Sequence, residues 1–481
     1  MENLPVFKPH GYQKVAIKFA LDNPYYGHLL DPGLGKTPTN LSVIKLLQSM
    51  GKINSALVIA PLRVCHSVWP KEAKKWKNFQ HLSVGILHGP NKNNVLQEKH
   101  DIYMINPEGI KWLLTDGLHN KRNWPFDMLI IDESTKFKNP RAKRLRYLKT
   151  KLGKFKRRGI LTGTPAPRSL IDLFAQIQIL DEGKTFGKIL GAFESRYFDP
   201  CGFKGKELKL KGGAEKAIYK KAAPYLLRMS AEEYLDMPEL VINKVFVELP
   251  KDARRVYEEL EKELFADIFS NDGNDEISAV NASALYGKCH QVANGAVYKD
   301  QDPLAPPKSA KERGFHDLHN AKIDALREIT DELAGKPALI AYNFNHDLEK
   351  LRHEFGGRAK KIPYIGSGVS GPEGDKLVDK WNAGKIDKFF GHPASMGHGL
   401  NMQDAGNDVI FFSLCDDFEN YEQFYRRVYR QGVKGKQVRV HLILAKDTVD
   451  EVIFNRIVKK DKTQKGFLDA MRDYRIKKLG L

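Results

Sequence analysis

Four short stretches of this chain carry side chains able to work on a phosphate. The first, Leu29-Leu30-Asp31-Pro32-Gly33-Leu34-Gly35-Lys36-Thr37, runs into a helix-like stretch at 39–48. Glycines such as Gly33 and Gly35 let backbone N–H groups close around a phosphate, and the helix N-terminus behind them favours the anion. Lys36 is then the cation for the β- and γ-phosphates, and the Thr37 hydroxyl a ligand for Mg²⁺. The general pattern asks for glycine at position 30, where this chain has Leu30. Taken alone, the turn reads equally well as a bend before a helix.

About 95 residues further on, the apolar run Met128-Leu129-Ile130-Ile131 ends in Asp132 and Glu133. A strand end with two carboxylates offers Asp132 to the Mg²⁺ and leaves Glu133 to activate water, the two jobs that phosphoryl transfer to water needs. Leu161-Thr162-Gly163-Thr164-Pro165 again comes directly after a short apolar strand, and its hydroxyls are candidates to contact those acids. The fourth stretch, 421–432, puts Gln423, Arg427 and Arg430 on one helix face at i, i+4 and i+7. That spacing suits arginines that clamp a γ-phosphate, and it is also that of a solvated basic face. His392 and His398 lack the further ligands that zinc needs.

Elements able to position these residues alternate along the chain. Strand-like runs at 55–60, 128–131, 159–161, 338–341, 409–412 and 438–444 are interleaved with helix-like stretches at 13–21, 39–48, 170–180, 253–267 and 421–429. Such alternation is the pattern of parallel α/β sheets. The strands form two groups, before about residue 165 and after about 335, separated by a long, mostly helical region. Polar or Gly- and Pro-bearing stretches at 202–213, 270–276 and 299–315 read as loops within it.

A length of 481 residues allows two or three domains. The 78 Lys and Arg against 59 Asp and Glu leave a net charge of +19, a field that attracts polyanions. From Lys136 to Arg158 there are twelve basic residues and no acid, interleaved with Phe137, Tyr147 and Phe155, which makes nucleic acid the leading partner. No apolar run approaches the ~20 residues of a membrane helix. Cys65, Cys201, Cys289 and Cys415 are too scattered for a metal cage or a redox pair, as expected of a cytosolic chain with reduced thiols.

The ordered set resembles the motors of helicase superfamily 2, and within them the Swi/Snf-like translocases of double-stranded DNA, in their compact phage or bacterial form. Residues 132–139 resemble that family's extended DExx box, and 161–165 its third motif. Gly397-His398-Gly399-Leu400-Asn401-Met402-Gln403 resembles the fifth motif, 423–432 the sixth, and Thr448-Val449-Asp450-Glu451 the segment just after it. The resemblance spans about residues 7 to 460 and implies an α/β fold of two RecA-like lobes with parallel sheets. Residues 1–183 are then the ATP-binding lobe, 184–316 helical protrusions and a linker, and 317–481 the second lobe with a basic tail.

By the same resemblance Gln13 reads the adenine edge, and Gly33, Gly35, Lys36, Thr37 and Gln423 line the nucleotide. Thr37 and Asp132 hold Mg²⁺, Glu133 is the catalytic carboxylate, and Arg427 and Arg430 are the fingers of the second lobe. Arg63, Thr164 and His398 fall where relatives meet DNA. Arg168 and Val433 depart from the family, where many members carry Asn and Gln. The implied cofactors are ATP and Mg²⁺, and the implied partner is double-stranded or branched DNA. No membrane is expected, replication, recombination or nuclease proteins are possible partners, and the compartment is the cytoplasm of a bacterial or phage-infected cell. Two other readings stay open: a strand-separating DNA or RNA helicase, and a basic DNA-binding scaffold or motor subunit of a nuclease or recombination complex.

Overall fold

The computed structural model describes residues 4–118, 124–163, 169–201, 207–270, 276–299, 313–396, 400–433 and 435–457. Its chain contacts divide at Leu235/Asp236 into two units. The first holds β1 (Tyr25–Leu30), β2 (Ala56–Ile59), β3 (Val84–Ile86), β4 (Ile102–Ile105), β5 (Met128–Asp132), β6 (Arg157–Thr162), β7 (Phe198–Cys201), β8 (Glu207–Leu210) and β9 (Leu226–Met229). Seven of these form one parallel sheet in the order β3-β4-β2-β5-β6-β1-β9. A parallel sheet covered by helices buries both faces, and its central strands β2, β4 and β5 are accordingly nearly all apolar. In β5, Met128 and Ile130 pack into one core cluster while Leu129 and Ile131 pack into the other. Only at Asp132, the strand's last residue, does the run turn polar.

The second unit adds β10 (Glu239–Val247), β11 (Ala296–Tyr298), β12 (Phe315–Asp317), β13 (Ala338–Ala341), β14 (Tyr364–Ile365), β15 (Lys388–Gly391), β16 (Asp408–Phe411) and β17 (Gln437–Ala445). Six of them make a second parallel sheet, β10-β17-β16-β13-β15-β14. Two long helices, Lys251–Ser270 and Glu276–Ala293, come after β10. No described helix is long and apolar enough to cross a membrane.

The six strands read from the sequence are all present, within about two residues at each end. The region between the two groups is less helical than its composition suggests. It supplies β9 to the edge of the first sheet and the nine-residue β10 to the edge of the second. The stretch 202–213, read as a loop, contains β8, which pairs antiparallel with β7. Strand β9 has only four residues, and β10 is a half-exposed edge strand that mixes polar and apolar residues, so periodicity does not separate either from its surroundings.

A buried ion pair fastens the second unit. Lys322 Nζ lies 2.5 Å from Asp450 Oδ2, with neither side chain exposed. Lys322 also donates to Asn294 Oδ1 at 2.6 Å, and Asn294 Nδ2 donates to Ser413 Oγ at 2.8 Å. The Ala445 N–H, at the end of β17, donates to the same Asp450 oxygen at 2.8 Å. Removing one partner leaves an uncompensated charge in the core, so Lys322→Met is expected to cost about 3–5 kcal/mol. Urea unfolding checks this. The double variant Lys322→Met/Asp450→Leu should lose less than the two single losses added together, and strict additivity would show that the pair carries no coupling.

Candidate functional site

In a parallel sheet, ligands gather at the carboxyl ends of the strands, and the sequence-selected residues of the first unit stand there. After β1 the chain turns through Asp31-Pro32-Gly33-Leu34-Gly35 into the helix Lys36–Ser49. Gly33 and Gly35 have φ of 98° and 71°, the left-handed region that costs glycine least. A Cβ on Gly35 would lie 2.5 Å from Nε2 of Gln13, which donates to the Leu34 carbonyl at 3.1 Å. Glycine is therefore what lets Gln13 close over the loop. The helix has no side-chain cap at its N-terminus, which suits an anion there. Pro38, in the first turn, gives up no needed hydrogen bond.

Lys36 Nζ donates to the carbonyl of Leu30 at 2.7 Å. Leu30 ends β1 and is not among the residues of positive φ, so its backbone does not require the glycine of the general pattern. Asp31 pairs with Arg228 at 3.2 Å and accepts from the Ala231 N–H at 3.2 Å, fastening the loop to the chain around β9.

Asp132 ends β5, and Glu133 comes next with φ 64°. Left-handed backbone is uncommon for a glutamate and is held by its surroundings. The carboxylate Oε1 of Glu133 accepts from Thr162 Oγ1 at 2.9 Å and from Thr135 Oγ1 at 3.0 Å. Thr162 ends β6, the strand next to β5, so a hydroxyl of the third stretch does meet the second acid. Ser134 Oγ donates to Gln176 Oε1 at 2.6 Å, with both side chains buried, and locks the turn behind Glu133. Asp132 Oδ2 accepts from the Trp69 indole N–H at 2.8 Å. Burial raises the Asp132 pKa, opposed by the Trp69 hydrogen bond; the Glu133 charge raises it and Lys36 lowers it. Those mutual effects mark Lys36, Asp132 and Glu133 as one electrostatic cluster.

Among the described residues no group of three or more His, Cys, Asp or Glu side chains could hold a metal ion. Asp132 and Thr37 are hard oxygen donors, the type that suits Mg²⁺, which takes most of its remaining ligands from water and phosphate. The donor set fits that ion.

Arg63 stands half-buried just after β2, where a helical segment begins. Beside it in the sheet, β4 leads to Lys111, and β5 leads to the helix Lys143–Lys149. Lys111, Lys143, Arg144, Arg146 and Tyr147 line a groove of about 830 Å³ with Glu108. The basic run divides sharply. Arg157 and Arg158 are buried inside β6: Arg157 donates to the carbonyls of Ala20, Leu21 and Asn23, and Arg158 pairs with Glu182 at 2.7 Å. Lys156 pairs with Asp127 at 2.7 Å. Phe137 and Phe155 belong to the core, so of the interleaved aromatics only Tyr147 faces the groove.

In the second unit the helix carrying Gln423 ends at Tyr425, short of the continuous helix to 429 that the sequence suggests. Arg427 N–H bonds the carbonyl three residues back, Phe424, at 3.1 Å, while its guanidinium Nε takes the Gln423 carbonyl at 2.8 Å. Arg430 Nε likewise donates to the Arg426 carbonyl at 2.9 Å. Each side chain satisfies a carbonyl that an ended helix leaves open. Both guanidiniums also reach the Leu400 carbonyl, at 3.1 and 3.2 Å, and Arg430 reaches Asn401 Oδ1 at 3.1 Å. The fifth- and sixth-motif segments are thus clasped together by the two arginines. Burial and the neighbouring Arg426 lower the Arg430 pKa to about 10. The Gln423 amide donates to Glu419 at 3.2 Å. Thr164, Arg168 and His398 lie outside the described residues.

Residues that sequence reading did not select complete the first site: Trp69, Thr135, Arg228 and Gln176. Their partners lie between 2 and 197 residues away in sequence. Only Thr135 was close enough to its partner to be found locally.

The model of the SNF2-related domain matches residues 12–293, and that of the helicase conserved C-terminal domain matches residues 321–432. Protein p41 of Acyrthosiphon pisum secondary endosymbiont phage 1 is 35% identical over 98% of this chain and 100% of its own length. Nuclear protein STH1/NPS1 of Saccharomyces cerevisiae is 26% identical over 91% of this chain, which spans only 33% of that protein. A solved Sulfolobus solfataricus SWI2/SNF2 ATPase core in complex with dsDNA is 21% identical, covering 98% of this chain and 96% of its own, with a TM-score of 0.44. With one domain model matching more than half of this chain, a second matching behind it and a phage relative covered over its full length, this chain belongs to the SNF2-related family and is an ATP-hydrolysing enzyme of helicase superfamily 2.

Proposed function

We propose that this protein couples ATP hydrolysis to movement along double-stranded DNA and thereby remodels DNA structures or protein–DNA complexes. The observation that carries the reading is the division of labour along one sheet edge. The ends of β1, β5 and β6 gather Lys36, Asp132, Glu133 and Thr162, while the ends of β2, β4 and β5 lead into the basic residues. Strand β5 serves both sides, so a polyanion and a nucleotide engage elements that share it.

In this reading Gln13 meets the base, and the N–H groups of the 33–37 turn meet the phosphates. Lys36 moves from the Leu30 carbonyl to the β- and γ-phosphates. Thr37 and Asp132 would hold Mg²⁺, which when bound neutralises charge on those phosphates. Glu133, aimed by Thr162 and Thr135, orients a water and accepts its proton as the water oxygen attacks the γ-phosphorus. The β–γ bridging bond breaks, leaving ADP and phosphate. Arg427 and Arg430 are proposed to stabilise the charge that develops on the transferred group once their guanidiniums leave the Leu400 carbonyl.

Steady-state hydrolysis without nucleic acid and with duplex DNA, single-stranded DNA or RNA tests this beside Lys36→Ala. Stimulation by duplex DNA, lost in Lys36→Ala, is the expected result. Stimulation by single strands or RNA alone would favour a strand-separating helicase. No hydrolysis under any condition would overturn the reading.

A further inference from the structure

The segment after β2 is built unusually. Its chain winds through a π-helical turn, Val64–Val68, before continuing as the helix Trp69–Lys75. Such wide turns are rare and cluster at functional sites, because one extra residue per turn re-aims the side chains beyond it. The first residue beyond this turn is Trp69, whose side chain is fully buried. A buried indole must place its N–H, and this one gives it to Asp132 Oδ2 at 2.8 Å, across 63 residues of sequence. Val64 and Cys65, inside the turn, are also buried, and Cys65 Sγ contacts the Ala60 carbonyl at 3.3 Å, tying the turn to the end of β2. Arg63 stands at the head of the same segment and Trp69 at its far side. An indole N–H only donates, so it fixes one carboxylate oxygen without competing as a ligand.

We propose that Trp69 is a positioning residue that links Arg63, on the polyanion side, to Asp132, on the nucleotide side, through one packed helical segment and one hydrogen bond. The inference rests on reading Asp132 as the Mg²⁺-side acid. Displacement of the segment by a phosphate held at Arg63 shifts the Trp69 N–H and with it the carboxylate. By linkage, duplex DNA then changes the affinity for Mg·ADP, and Mg·ADP changes the affinity for DNA by the same factor.

Calorimetric binding of ADP, with and without Mg²⁺ and with and without saturating duplex, tests the proposal in the full chain. In Trp69→Phe the ring stays and the donor goes. Loss of a partner that orients a metal ligand costs about 10–100-fold in metal affinity. The gain in ADP affinity on adding Mg²⁺ should therefore fall about tenfold, with Mg-free ADP affinity kept and the effect of duplex on Mg·ADP lost. In an Asp132→Asn background, Trp69→Phe should change nothing further. An unchanged Mg²⁺ gain in Trp69→Phe, or the same loss in the Asp132→Asn background, overturns the proposal.

Asp132→Asn alone separates the two claims. If it keeps the Mg²⁺ gain, the reading of Asp132 falls and the link falls with it; if it loses the gain while Trp69→Phe keeps it, only the link falls. Arg63→Gln, outside the core, gives a check that does not depend on the packing of Trp69. At saturating duplex it should lose the DNA-linked change in Mg·ADP affinity, and retention of that change overturns the route through Arg63.

Discussion

Glu133→Gln is expected to bind ATP and duplex DNA close to wild-type affinity and to hydrolyse ATP on the order of 10³-fold more slowly. Glutamine has the shape of glutamate and keeps an oxygen that accepts from Thr162 and Thr135, which hold Oε1 at 2.9 and 3.0 Å. The turn is further locked by Ser134 on Gln176, so the left-handed backbone at 133 should survive the exchange. What disappears is the ability to take a proton from water. General-base assistance of that kind is worth about 10²–10⁴-fold. Single-turnover hydrolysis, read beside nucleotide binding, distinguishes a lost base from lost binding. Wild-type turnover would remove Glu133 from the chemistry and leave it a strained structural residue. A variant that no longer binds nucleotide would instead show that the Glu133 charge, felt by Asp132, organises the site before any reaction.

How much of this was legible depends on the range of the interaction. The site's polar residues sit at the ends of apolar strands, and a strand such as 128–132 announces itself through four consecutive buried aliphatic residues. Strand β1 does not. Tyr25-Tyr26-Gly27-His28-Leu29-Leu30 mixes aromatics with a glycine and a histidine. The structure explains the histidine and the glycine. His28 is fully buried beside the Ala16 carbonyl at 3.1 Å, and a Cβ on Gly27 would fall 2.4 Å from Leu226 on β9. Both constraints come from residues distant in sequence, so no local pattern contains them.

Charge misleads in a similar way. Twelve basic residues in a row of twenty-three read as one surface, yet Arg157 and Arg158 are interior, each balanced by carbonyls or by a carboxylate. Counting charge gives the field of the molecule, whereas burial decides which charges a ligand can meet. The arginines at 427 and 430 show a third limit. Their spacing suggests one helix, but each guanidinium substitutes for a backbone donor and lets the helix stop at Tyr425.

That division sets the second large effect, the response of DNA binding to salt. The basic residues exposed along the ends of β2, β4 and β5 include Lys111, Lys143 and Arg146, with Arg63 and Arg144 half-buried beside them. Glu108, 3.5 Å from Arg144, offsets part of that charge. Each phosphate neutralised releases condensed counterions, and the logarithm of affinity falls with the logarithm of salt by about 0.9 per contact. If about six phosphates are engaged, affinity should drop roughly 10³-fold between 50 and 200 mM salt, with little dependence on base sequence. Lys143→Gln together with Arg146→Gln should lower the slope by about two, since each removes one phosphate contact. Changing the buried Arg158 should instead cost stability and leave the slope of the folded protein alone. Titration of labelled duplex over a salt series reads all three. A flat response would mean that the net charge of +19 serves solubility and that the groove is not the DNA surface; a steep slope untouched by the double variant would keep the electrostatics and move the contact elsewhere.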